Sequence, residues 1–383
     1  KFTEKLLAYK QRQKPSRSLI HSDVDLPTGS NVREVLEKLM ESRRVGSVPA
    51  EEPIKLRPKR YFAICIVIVD QLYHEEIWKR WIEEGSTPTS SYGAEIFVHA
   101  KYPERIQSPW IQSRLIEKSF SPEWNSTEVV RAMLQLLSFT LHSQTLHPQT
   151  DFERLIFATE SCIPVLPLHE CGNLLFASDH SWVDAYNTPK NTWEDRNCFK
   201  PVNRDIIPPK AVTKAIPGWI MLVKKHAEEI VALLNRFGGW DFRESERPSG
   251  SQIVDIVSAF GPSGQWTEFC GGVFAPEEVF FPTMLSLLGY IQPENPSKEE
   301  IIRKPVIYAE WKRNGDANPI SFSSLTKDLL DKISQKKIPF ARKFPKDSIS
   351  VEVWSSLVLT DLSKVEDEDV ESSSEPQLKK LKS

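Results

Sequence analysis

No apolar run in the 383 residues approaches the roughly 20 that a membrane-crossing helix needs. The longest, Ala63 to Val69, has the length of a buried strand. There is no GxGxxG opening a helix, no GxxxxGK[ST], no HExxH and no GxSxG. Those absences remove the motif-based readings as a dinucleotide enzyme, a P-loop NTPase, a zinc protease or an α/β-hydrolase. The five cysteines (Cys65, Cys162, Cys171, Cys198, Cys270) form no CxxC pair, so a zinc cluster is not expected. Their odd number leaves at least one thiol free in an oxidising compartment; one or two disulfides among the last four, or none, stay open. With 49 basic and 52 acidic residues the net charge is −3, which gives neither an electrostatic footprint for nucleic acid nor the basic face of a peripheral membrane binder. Asp-x-Asp occurs at Asp23–Asp25 and Asp367–Asp369. Neither follows a core strand, so the acidic pair that often holds a divalent cation at such a place is missing.

What is present is apolar material enough for a large core, 40% of the chain, with 11 Trp and 28 Pro. The length suits two domains, or one large α/β domain with extensions. Aromatic rings among proline-broken loops suit a carbohydrate cleft, although Trp also packs cores. Residues 1–58 read as a polar N-terminal arm with one amphipathic helix over Asn31–Arg43, followed by breaks at Pro49, Pro53 and Pro58. The sequence opens on Lys1 rather than Met, so a targeting or anchoring segment before it is left open.

The core reads from 59 to 345. "YFAICIVIVD" is a continuous apolar run ending in Asp70, as expected of a strand buried on both faces. A helix over Glu75–Glu84, the strand "AEIFVHA", the helix "TEVVRAMLQLLSFTLHSQ" and the strand "FERLIFATES" follow. That alternation predicts a wound, mainly parallel α/β sheet, whose ligands bind beyond the carboxyl ends of the strands, near Asp70, His99–Ala100 and Glu160. Cys162 to Pro217 reads as loop, and Gly218–Phe237 as strand then helix. Pro276 opens a short helix with Glu277 and Glu278 in its first turn, a favoured place for acids whatever their role. "PVIYAEW" is a further strand. After Phe344 the order signal fades, and 346–383 reads as an extension ending in a charged, Ser-rich disordered tail.

Six segments in one order carry a resemblance. "FATESCIPVLPLHE", "HSWVDAY", "KAIPGWIML", "APEEVFFPTMLSLLG", "VIYAEWKRNGDANPISF" and "PFARKF" resemble the corresponding motifs of the core-2/I-branching β-1,6-N-acetylglucosaminyltransferase family, above all its plant-type branch. The resemblance spans about Arg60 to Phe344. It implies a GT-A-like, Rossmann-like fold, inversion at the transferred carbon, no metal ion and no cofactor beyond a UDP-sugar donor. The family's catalytic base falls on Glu278, with Glu277 as a supporting or acceptor-contacting acid. An acceptor hydroxyl is a poor nucleophile until a carboxylate takes its proton. The lysine that meets the leaving diphosphate falls on Lys343, with Arg342 beside it. The family's second, upstream arginine has no counterpart in "NPISFSSLTKD", and Arg342, Lys312 or Arg313 could substitute.

By the same resemblance Asp70, Val98 and His99 face the nucleotide, while Glu160, Ser161, Asp184, Lys214, Trp219 and Trp311 line the acceptor and sugar pocket. Trp124 matches an aromatic ahead of a helix, with core packing as its alternative. Cys162 is expected to have a structural partner in Cys198 or Cys171. Two departures stand out: the family's His is Val279 here, and its Gly-Gly is Asn314–Gly315. The expected reaction is transfer of a sugar, N-acetylglucosamine by default, to a hydroxyl of a glycan or glycoprotein. The alternatives are a xylosyl or glucuronosyl transferase of the same fold, or an inactive relative that binds glycan or nucleotide. The expected location is the Golgi or secretory lumen as a type II membrane protein whose anchor lies outside this chain. "LKKLKS" after an acidic Ser-rich run supplies a nucleocytoplasmic alternative.

Overall fold

The computed structural model describes residues 32–42, 59–143 apart from 86, 88, 89 and 125, 150–185, 202–240 apart from 204 and 217, 255–261, 275–312 and 318–359. In chain order these hold helix α1 (Val32–Ser42), β1 (Arg60–Ile68), α2 (Glu75–Gly85), β2 (Tyr92–Ala100), a single helical turn α3 (Pro109–Gln112), α4 (Thr127–Ser143), β3 (Phe152–Thr159) and β4 (Ile163–Pro164). Next come α5 (Leu168–Leu175), β5 (Ser181–Trp182), β6 (Met221–Val223), α6 (Lys224–Arg236), α7 (Pro276–Leu287), β7 (Ile301–Ile302), β8 (Ile307–Tyr308), α8 (Lys327–Gln335), β9 (Phe340–Ala341) and α9 (Val351–Val358).

The main sheet runs β2-β1-β3-β6-β5-β7. β1 pairs in parallel with both β2 and β3, which brings the ends of all three strands to one edge. From Phe62 to Ile68 β1 is continuously apolar because both faces are covered: Ala63 and Cys65 join one buried cluster, while Phe62, Ile64, Ile66 and Ile68 join the other. The first cluster takes in α4, α6 and α7; the second takes in α2 and α5. The expected α/β architecture is therefore present, with β6 turned antiparallel to β3. This register carries Trp219, two residues before β6, to the carboxyl end of β3, where Phe157 N–H donates to the Ile220 carbonyl at 3.0 Å.

A second sheet, β4-β9-β8, decides where the functional cations sit. β9 lies between β4 and β8, so Arg342 and Lys343 emerge beside the end of β3. Phe344 N–H donates to the Ser161 carbonyl at 3.0 Å and seals that junction. The proline-rich segment after β3 is held by indoles. Trp78 Nε1 donates to the Cys162 carbonyl at 3.2 Å, Trp81 Nε1 to Leu166 at 2.9 Å and Trp354 Nε1 to Pro164 at 2.8 Å. All three rings are fully buried. Much of the tryptophan content thus packs the core and satisfies loop carbonyls, as buried indoles must.

Several sequence expectations change. The stretch read as loop from Cys162 contains α5, and order continues past Phe344 into α9, whose Trp354 closes the second cluster. The arm helix α1 sets Val32, Leu36 and Met40 into the first cluster beside α7. Cys162 and Cys171 are both free buried thiols, which corrects the pairing expected between them. Thr159 N–H donates to Cys162 Sγ at 3.4 Å, so this thiol serves the strand-end turn. Cys198 and Cys270 lie outside the described residues, as do Arg313, Asn314–Gly315, both Asp-x-Asp triplets and the "LKKLKS" tail.

Candidate active site

The site is built where the first turn of α7 meets the segment ahead of β6. Pro276 begins the helix, and Glu278 N–H donates to the Ala275 carbonyl at 3.0 Å. Gly218 lies against this turn: a Cβ there would come 3.0 Å from the Glu278 backbone nitrogen and 3.1 Å from the Glu277 carbonyl carbon. Contacts that short are tighter than a Cβ ordinarily makes, so a residue without a side chain favours this close approach of the two backbones. Lys214 Nζ then reaches Glu278 Oε2 at 2.9 Å.

Burial raises the proton affinity of Glu278, and the Lys214 ammonium and the Arg342 guanidinium pull it back down. Glu277 is more extreme. Burial, reinforced by the neighbouring Glu278 charge, pushes its carboxyl up to about 7. Its Oε2 is buried without a hydrogen-bond partner among the described residues. The same holds for Arg342 Nε. The Arg342 guanidinium carbon lies 5.4 Å from the Trp219 ring centroid, within cation–π range.

Arg342 joins the two halves of the site. Its charge acts on Glu277 and Glu278 on one side and on Glu160 on the other. Glu160 follows β3, and burial raises its carboxyl against the pull of Arg342 and Lys343 and with the push of Asp70. Tyr73, whose N–H donates to the Glu160 carbonyl at 3.2 Å, carries a phenol raised by burial and by the Glu160 and Asp70 charges. Glu278, Glu277, Lys214, Trp219, Arg342, Lys343, Glu160 and Asp70 thus belong to one electrostatic neighbourhood along the strand-end edge. Ser161 is fully buried beneath it, its hydroxyl 3.3 Å from Thr159 Oγ1. Asp184 follows β5 next to Ala185, which bridges to Ala215 beside Lys214. Burial raises the Asp184 carboxyl and Arg303 lowers it. Trp311 follows β8 and is half-buried.

Two residues expected at the nucleotide, Val98 and His99, lie buried within β2. Val98 is fully buried in the second cluster; its N–H donates to Arg114 at 2.9 Å and its carbonyl accepts from Ile116 at 3.0 Å. His99 is also fully buried, stacked on Phe120, with Nε2 accepting the Phe120 N–H at 2.9 Å. Burial drops this imidazole to about 4, so it is a neutral structural acceptor. The groups that do reach the surface at this edge come just after the strands. Tyr102 carries the Arg105 guanidinium 3.9 Å from its ring centroid, Lys101 pairs with Glu123 at 2.9 Å, and Val69 and Trp124 are 45% and 63% exposed. Trp124 is therefore no core residue. The aromatic–cationic run "KYPER" was the signal for these groups, had the strand-end rule been applied beyond β2 rather than within it.

The Core-2/I-Branching enzyme family model matches residues 62–334, which takes in β1 through most of α8. The chain is also similar to Glycosyltransferase BC10 of Oryza sativa subsp. japonica, with 25% identity over 222 residues that cover 56% of this chain and 50% of that protein. It spans about half the length of this curated relative. The α/β sheet, the glutamate pair at the mouth of α7 and the family match over most of the core agree: the chain belongs to the Core-2/I-Branching enzyme family of glycosyltransferases.

Proposed function

We propose that the chain transfers a sugar, N-acetylglucosamine by default, from a UDP-sugar to a hydroxyl of a glycan or glycoprotein, by direct displacement that inverts the transferred carbon. The observation that carries this reading is the Lys214–Glu278 pair at 2.9 Å, set among Glu277, Trp219 and Arg342. In the proposed step the acceptor oxygen bonds to the sugar carbon as Glu278 takes the hydroxyl proton. The bond from that carbon to the diphosphate breaks, and its electron pair leaves with UDP. Lys214 occupies one carboxylate oxygen of Glu278, and a carboxylate keeps lone pairs on both oxygens for the incoming proton.

Arg342 and Lys343 are assigned to the departing diphosphate. A guanidinium backed by an aromatic ring and a neighbouring ammonium supply fixed positive charge where negative charge develops. We read the reaction as metal-independent on that ground: two cations of the chain itself take the role a divalent ion has in related chemistry. Glu160, Asp184, Glu277, Trp219 and Trp311 are assigned to the acceptor and sugar, and Asp70 with Tyr102 and Arg105 to the nucleotide. The proposed place of action is the secretory lumen; among the described residues no helix is long and apolar enough to cross a membrane.

The test is release of UDP from a panel of UDP-sugars, with glycan acceptors, in the presence and absence of chelator. Transfer that survives chelator and falls about 10²- to 10⁴-fold in Glu278→Gln supports the reading. Loss of activity in chelator removes the metal-free part. Full activity in Glu278→Gln removes the base assignment. No turnover by wild type with any donor, together with retained UDP binding, points to an inactive binding relative.

A further inference from the structure

Pro282 sits inside α7, where its ring nitrogen carries no hydrogen. The carbonyl one turn back, that of Glu278, therefore receives no donor from residue 282. Ala215 N–H donates to it instead, at 2.8 Å. The next residue holds the same segment at a second point. Thr283 Oγ1 accepts from the Thr213 N–H at 3.1 Å and donates to the Thr213 carbonyl at 3.3 Å. Pro282 and Thr283 are both buried. Their two anchors bracket Lys214, whose Nζ lies on the side chain of the residue whose carbonyl Pro282 leaves open.

We propose that Pro282 and Thr283 are positioning residues: together they fix the register of the Thr213–Ala215 segment on α7 and so hold the Lys214 ammonium on Glu278. The inference rests on the reading of Glu278 as the base for its functional meaning, but the contact itself does not. A helix-interior proline is ordinarily destabilising. Here the carbonyl it leaves unbonded is the docking point for a second chain segment. An alanine at 282 would present a new N–H to the Glu278 carbonyl in competition with Ala215.

The experiment reads the contact without any substrate. In the full chain, Pro282→Ala is expected to speed hydrogen exchange of the Ala215 amide about tenfold, the loss of one ordinary hydrogen bond, while the Met284 amide keeps its rate. The Glu278 titration, followed by carbon-13 NMR of its carboxyl, is expected to move to higher pH, as is expected of Lys214→Met. Adding Lys214→Met to Pro282→Ala should move it no further. An unchanged Ala215 rate, or shifts of the two variants that add, overturns the proposal. Should Pro282→Ala fail to fold, Thr283→Val carries the same expectations and Thr283→Ser restores the wild-type values; a Thr283→Val protein with wild-type exchange and titration overturns it equally. If Glu278→Gln keeps full transfer activity, the base assignment fails while the exchange result stands on its own.

Discussion

Lys214 Nζ lies 2.9 Å from Glu278 Oε2, and this ion pair is the only arrangement among the described residues in which the first turn of α7 meets a lysine. It sets how readily Glu278 holds a proton. Burial pushes the carboxyl up, and Lys214 and Arg342 oppose that. In Lys214→Met one of the two opposing charges is gone. The acidic limb of kcat/KM is then expected to move to higher pH, as a pH–rate profile of the two enzymes would show. A limb that stays in place separates Lys214 from the ionisation of Glu278.

Glu277 gives a prediction in stability rather than rate. Its folded carboxyl stands at about 7, above the ordinary 4.5. The folded state therefore binds this proton more tightly than the unfolded chain does. The stability it contributes is complete below about pH 4.5 and is lost as pH rises through about 7. Glu277→Gln keeps the shape and removes the ionisation. Its melting temperature should exceed that of wild type at pH 8, with the gain shrinking toward pH 5; thermal melts across that range check it.

Arg342 is planar, lies over Trp219 and carries its charge between Glu160 and the Glu277–Glu278 pair. Arg342→Met is expected to weaken UDP binding by about tenfold to a hundredfold, the worth of a hydrogen bond to a charged group. Arg342→Lys should recover only part of it, because a lysine keeps the charge without the flat, stacked fork. Calorimetric titration with UDP measures both. Equal affinity in all three proteins would take Arg342 out of the diphosphate site.

His99 is predicted to matter for folding and not for the nucleotide. His99→Phe leaves the Phe120 N–H without its acceptor, at a cost of about 1–3 kcal/mol. The wild-type imidazole is held neutral down to about pH 4, below the ordinary 6.5. Its contribution is therefore present above pH 6.5 and lost as pH falls toward 4. Denaturant melts should show the gap between variant and wild type closing over that window, with UDP affinity unchanged at neutral pH. A folded His99→Phe with weakened UDP binding would return His99 to the nucleotide.

The sequence by itself determined the central strands, because a run such as "YFAICIVIVD" has nowhere to go but a site covered on both faces. It determined α7 as well, through Pro276 and the two acids of its first turn, and the ordered motifs from "ESCIP" to "FARKF" pointed to the family that the comparison over 62–334 bears out. Periodicity reports whether a side chain is covered, not what covers it. Val98 and His99 read like a strand end near a ligand, and only packing showed one inside an apolar cluster and the other bonded to Phe120. The two-residue strands β4, β5, β7 and β9 are too short to leave a pattern, yet β9 decides that Arg342 comes to Trp219 and Glu160. The meeting of Lys214 with Glu278 depends on a carbonyl that Pro282 leaves unbonded and on a glycine that lets two backbones touch. Such long-range pairings are fixed by which polar groups remain to be satisfied once the core has closed, and that is known only when the chain is folded.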